Sequence, residues 1–76
     1  MQRKDIKCEI IEQHGVLSTS PAGWTKEINL IRWNDKPAKW DIRDWSPDHE
    51  KIGKGITLTD EEMTLLLEVL QREMQL

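Results

Sequence analysis

Four tryptophans, Trp24, Trp33, Trp40 and Trp45, stand in a chain with no phenylalanine or tyrosine, and the cations Lys26, Lys39, Arg43, Lys51 and Lys54 are interleaved with them. Indole faces can stack unpaired bases, each stack being worth about 1–3 kcal/mol, while lysine and arginine neutralise phosphates. That pairing of residue types points to a single strand of nucleic acid. Trp40 reads differently, because its alternation with Ile42 makes it a core residue. Catalytic chemistry finds little to work with. Cys8 alternates with Ile6 and Ile10 as a core cysteine would. Asp48-His49-Glu50 are consecutive loop residues that read as an exposed turn, since neighbours in sequence rarely converge on one ion. Asp41 and Asp44 flank Arg43, and one of them is expected to pair with it. Gly53-Lys54-Gly55 lacks the longer glycine-rich run of a phosphate-binding loop, so its glycines read as a bulge or a close backbone approach. The residues therefore predict no enzyme, no metal, no cofactor and no small-molecule substrate.

The elements that position these side chains follow from local pattern. Ile6 to Ser20 alternates irregularly and reads as a long first strand, bent or broken around Gly15. Ser18 to Gly23 is a turn by composition, Thr25 to Trp33 a second strand and Ala38 to Trp45 a third. Ser46 to Glu50 is a loop, and Lys54 to Leu58 a short fourth strand. A three-residue loop Asp35-Lys36-Pro37 would pair Leu30 with Ile42 and gather Ile28, Leu30, Trp40 and Ile42 on one face as the core. A one-residue slip would set Ile28 and Leu30 against Asp41 and Arg43, which disfavours it. The opposite face then carries Glu27, Asn29, Ile31, Trp33, Lys39, Asp41, Arg43 and Trp45, and would be the ligand face.

Thr59-Asp60-Glu61-Glu62 has the spacing of a capping box and predicts a helix running to the C-terminus. At 100° per residue, Met63, Leu66, Leu67, Leu70 and Met74 form one apolar stripe. Leu65, Val69 and Leu76 form a second, roughly opposite. One sheet can cover only one stripe. The second predicts an isologous homodimer with Leu65, Val69 and Leu76 at its interface.

A chain of 76 residues forms one domain, spanning 1–76, with neither disulfide nor zinc spacing to support it, and oligomerisation is the commonest remaining source of stability. The lone cysteine and the absence of an apolar span or signal-peptide core predict a cytoplasmic protein that avoids membranes. Net charge is −3, but the helical segment 60–76 carries five acids against one base, which leaves residues 1–59 at +1. A local basic face is therefore compatible with the acidic total.

The runs Gly23-Trp24-Thr25-Lys26-Glu27, Trp33-Asn34-Asp35, Asp41-Ile42-Arg43-Asp44-Trp45-Ser46-Pro47-Asp48-His49-Glu50-Lys51 and Gly53-Lys54-Gly55-Ile56-Thr57-Leu58-Thr59 together resemble the single-stranded-DNA-binding domain of the transcriptional positive cofactor four family, above all its small bacterial YdbC-like members. The resemblance covers roughly residues 6 to 72. It implies an α+β fold, a four-stranded antiparallel sheet followed by one C-terminal helix, with the homodimer packed through the helices. It also implies single-strand contacts by Trp33, Arg43, Trp45 and Lys54. Gly53 departs from the basic residue of eukaryotic members. Adding the interleaved residues gives the expected nucleic-acid-binding set: Trp24, Lys26, Trp33, Lys39, Arg43, Trp45, Lys51 and Lys54. Two alternatives stay open: an RNA-binding module, since stacking does not reject a 2′-hydroxyl, and a dimeric protein-interaction domain whose tryptophans are all core.

Overall fold

The computed structural model describes residues 7–75, so Ile6 and Leu76 lie outside the described residues. Strands β1 (Cys8–Thr19), β2 (Thr25–Trp33), β3 (Lys39–Trp45) and β4 (Ile52–Leu58) form one antiparallel sheet in the order of the chain, and helix α1 (Asp60–Met74) follows. The expected α+β architecture is thus present.

β1 is long but irregular. Its pairing with β2 shifts between Ile10 and Glu12, between Gln13 and Gly15, and between Val16 and Ser18. Such bulges bend a strand and increase its twist, so the bend expected at Gly15 is spread over three places. The β1–β2 turn is closed by Gly23 N–H donating to Ser20 O at 2.9 Å and by Trp24 N–H donating to Ser20 Oγ at 3.1 Å.

The β2–β3 hairpin corrects the expected register. Asn34 and Asp35 both have positive φ, 50° and 65°, and Lys36 N–H donates to Trp33 O at 2.9 Å. This is the signature of a type I′ turn, which suits the twist of a hairpin. Its central residues begin one residue before the expected loop, which moves each ladder partner by two. Pro37 lacks an amide hydrogen, and the regular ladder starts only at Ile31 opposite Lys39. Leu30 therefore faces Trp40, and Ile28 faces Ile42. The shift of two residues is even, so every side chain keeps its expected face.

Which face is covered is the larger correction. Ile28, Leu30, Trp40 and Ile42 do share one face, but all four are only half-buried. The buried residues lie opposite: Ile31, Asn29, Asp41, Trp45 and Glu27 are all below 5% exposed. This inner face closes on itself. Trp33 lies beyond the end of the ladder and Arg43 sits opposite Glu27, yet the Trp33 ring and the Arg43 guanidinium meet. The outer face depends on the helix, and the helix covers only one end of it. Trp40 Nε1 donates to Asp60 Oδ1 at 3.1 Å, Met63 and Leu66 are half-buried, and no residue of Asp60–Met74 is buried.

The capping box forms as expected: Glu62 N–H donates to Thr59 Oγ1 at 3.1 Å and Thr59 N–H to Glu62 Oε1 at 2.8 Å. Gln75 ends the helix in the left-handed region.

Candidate nucleic-acid interface

The inner face is built around one arginine. Arg43 donates from Nε to Asp41 Oδ1 at 2.8 Å and from Nη2 to Asp41 Oδ2 at 3.0 Å, and its Nη1 donates to Gly53 O at 3.0 Å. Thr57 Oγ1 donates to the same Asp41 at 3.1 Å. The bidentate fork fixes the guanidinium plane, and its Cζ lies 5.0 Å from the centroid of Trp33. Of the two acids flanking Arg43, Asp41 is thus the partner. The geometry changes what Arg43 can do. Three of its donors are already taken and its side chain is 14% exposed, so it orients the Trp33 ring and has little left for a free phosphate. Gly55 makes this arrangement possible, because a Cβ there would stand 2.0 Å from Arg43 Cβ and 2.4 Å from Ile42 O. The close backbone approach expected of the glycines is real at this position.

Trp45 marks the other end of the face, and it is corrected from an open platform to a covered one. Its indole is 3% exposed. The ring of His49 lies over it, with centroids 5.6 Å apart and planes at 26°. The Nε2 of His49 is 2.8 Å from Glu27 Oε2. A carboxylate only accepts, so Nε2 is the donor. Glu27 also accepts from Thr25 Oγ1 and, at 3.1 Å, from Asn29 Nδ2. Burial pushes the Glu27 carboxyl up, but the hydrogen bonds from Thr25, Asn29 and His49 outweigh it and hold the group below its ordinary value.

The sequence pattern places Glu27 and Asn29 on this face without disclosing their network; residues 48–50 form the exposed turn expected of them, but the His49 ring also reaches back from it to Glu27. Nothing local to Asp48-His49-Glu50 signals a ring folded back onto β2 and β3. Cys8, the ladder partner of Trp33, is half-buried, and desolvation raises its thiol above the ordinary value. That fits an inert packing role.

The remaining expected residues divide. Lys39 lies on the inner face, paired with Ile31. Lys26 alternates to the outer face, where it lines a shallow cleft with Ile42, Asp44, Lys54 and Ile56. Trp24 stands at the end of the sheet between two hollows, one lined by Lys26 and Ser20, the other by Lys51 and Pro47. Lys26, Lys39, Lys51 and Lys54 are all exposed. Among the described residues, none of the four has a carboxylate within ion-pair distance. The structure thus brings Trp33, Lys39, Arg43 and Trp45 onto one face, and it sets Lys26 and Lys54 behind it and Trp24 and Lys51 at one end. Leu65 and Val69 are exposed on the helix.

The family model for Transcriptional Coactivator p15 (PC4) matches residues 20–69, well over half of the chain. The chain belongs to that family. An uncharacterized protein of Treponema pallidum (strain Nichols) is 48% identical over 66 residues, which cover 87% of this chain and 78% of that protein. The segment matched by the PC4 model contains all four tryptophans, Arg43, the β3–β4 loop and Lys54. PC4 is a nucleic-acid-binding, non-enzymatic family linked to single-stranded DNA and transcription. No helix among the described residues is long and apolar enough to cross a membrane.

Proposed function

We propose that this PC4-family chain binds single-stranded DNA across the inner face of its sheet, as a cytoplasmic homodimer joined through the helices, at strands exposed in transcription, replication or repair. The observation that carries the reading is the placement of Trp33 and Trp45 on one face with Arg43 between them. Bases stack on the half-buried Trp33 indole and, where the His49 ring gives way, on that of Trp45; Arg43 holds the Trp33 ring flat, and Lys39 supplies charge within the face. Lys26, Lys51 and Lys54, with Trp24, receive the backbone where the strand leaves the sheet. A surface of stacking platforms with marginal lysines suits an unpaired strand, whose bases are free to turn inward, better than a duplex. The second stripe, through Leu65 and Val69, faces the partner copy.

The test is quenching of tryptophan emission by an unstructured oligothymidine, with duplex DNA and single-stranded RNA as competitors. Saturable binding is expected, resisted by duplex and weakening with salt. The salt slope should be shallow, since few lysines surround the face and the net charge is −3. Tighter binding to blunt duplex would overturn the reading. Preferential displacement by RNA would reassign the ligand, and absence of binding to any strand would favour a protein-interaction domain.

A further inference from the structure

We infer that the β3–β4 loop is a latch over Trp45, held shut by His49 and released when a ligand takes the indole face. The inference deepens the proposed function, and only the identity of the ligand rests on that reading. Residues 46–51 form a self-contained turn. Ser46 Oγ donates to Asp48 Oδ1 at 2.7 Å and accepts from Lys51 N–H at 2.8 Å. Glu50 N–H donates to Asp48 Oδ1 at 3.0 Å, and His49 N–H to Ser46 O at 2.8 Å. Ser46, itself buried, anchors both ends of the loop, and the exposed residues 47–50 are bonded chiefly to it and to one another.

Its attachment to the sheet is narrow. Among the described residues, the hydrogen bond of His49 to Glu27 is the only one that joins residues 47–50 to a strand. The ring stacked on Trp45 is the other tie, and Pro47 rests against Gly23 at the far side. His49 itself has φ 61°, in the left-handed region that non-glycine residues seldom occupy. The imidazole thus occupies the place where a planar base would stack.

A second observation points the same way. Trp45 Nε1 is buried and, among the described residues, has no hydrogen-bond partner, a state it shares with Trp33 Nε1 at the other end of the same face. A buried donor without a partner is costly, and it weakens the closed arrangement against any state that supplies an acceptor. A nucleobase or phosphate oxygen entering beside Trp45 supplies one. Closed and open positions of the loop then form a two-state element, and a ligand that needs the open one binds more weakly by the fraction of molecules already open.

The experiment uses His49→Asn in the full chain, since asparagine tolerates a left-handed backbone but cannot cover the indole, with His49→Gly as the second variant. In the free protein, solvent exchange of the assigned Trp45 indole N–H is followed by NMR. Both variants should accelerate it about tenfold or more relative to wild type, while the indole N–H of Trp40 is unaffected. Unchanged exchange at Trp45 would overturn the latch. With oligothymidine, the variants should bind about three- to tenfold tighter because the closed state no longer competes. Weaker binding would instead make His49 a ligand contact and also overturn it. If no strand binds to any of the proteins, the proposed function fails while the exchange measurement still decides the latch.

Discussion

Glu27 is an acid on a face proposed to receive an anion, and its surroundings explain why it is tolerated there. Thr25, Asn29 and His49 all donate to it, so its charge is spent within the fold and does not project at a ligand. Its carboxyl lies below the ordinary 4.5. The stability it contributes is therefore fully present above that value and is lost as pH falls through the lower folded value. Glu27→Gln should cost about 1–3 kcal/mol at neutral pH by leaving its donors poorly matched. It should also flatten the decline of urea midpoints below about pH 4.5, and equal slopes in both proteins would refute the assignment. The tryptophans separate by burial at this same scale. Trp45→Ala should cost about 3–5 kcal/mol, as for a fully buried large aromatic. Trp33→Ala, at a half-buried site, should spare the fold and remove about 1–3 kcal/mol from oligonucleotide binding, the worth of one stacked base. Chemical denaturation and fluorescence titration of the two variants distinguish these outcomes, and the reverse pattern would sink the division of roles.

Elements differ in how openly their sequences declare them. The helix start was legible because a capping box is complete within four residues, and Thr59→Ala should cost about 1 kcal/mol. Gly55→Ala should be worse, by about 3 kcal/mol, because its methyl would overlap Arg43 Cβ and the Ile42 carbonyl. A Gly55→Ala chain as stable as wild type in thermal melts would mean that β4 does not approach β3 as described. The hairpin register was less legible. Asp35-Lys36-Pro37 looked like the loop, but the turn forms where Asn34 and Asp35 can both take positive φ, and the position of Pro37 then delays the ladder. Alternation still assigned each residue to its correct face, since it depends only on parity. It could not say which face would be covered. That depends on where the helix goes and on Trp33 and His49 folding over Arg43 and Trp45, contacts that join residues far apart in sequence or hidden in a loop.

At the scale of the whole molecule, the face expected to be the core is the one left half open. Ile28, Leu30, Trp40 and Ile42 are half-buried, Ile56 beside them is 56% exposed, and the helix that should cover them touches the sheet only near its start. Along that helix Leu65, Leu67, Val69, Leu70 and Met74 are all exposed. Apolar groups on opposite sides of one helix cannot be served by one sheet, and association is one of the ways in which small domains without disulfides gain stability. A second copy packed on the helix would cover its apolar residues and the part of the outer face beside it, leaving the inner face of each protomer and the cleft with Lys26 and Lys54 free. Light scattering should return about twice the 9.0 kDa chain mass, and the denaturation midpoint should rise with protein concentration, as it does when folding and association are linked. Val69→Glu places a charge among the apolar residues of the second stripe and should yield monomer or unfolded chain, whereas Glu68→Gln, one position away on the exposed acidic side, should leave the mass unchanged. A wild-type protein that scatters as a folded monomer, with a midpoint independent of concentration, would show that the two stripes serve some other contact.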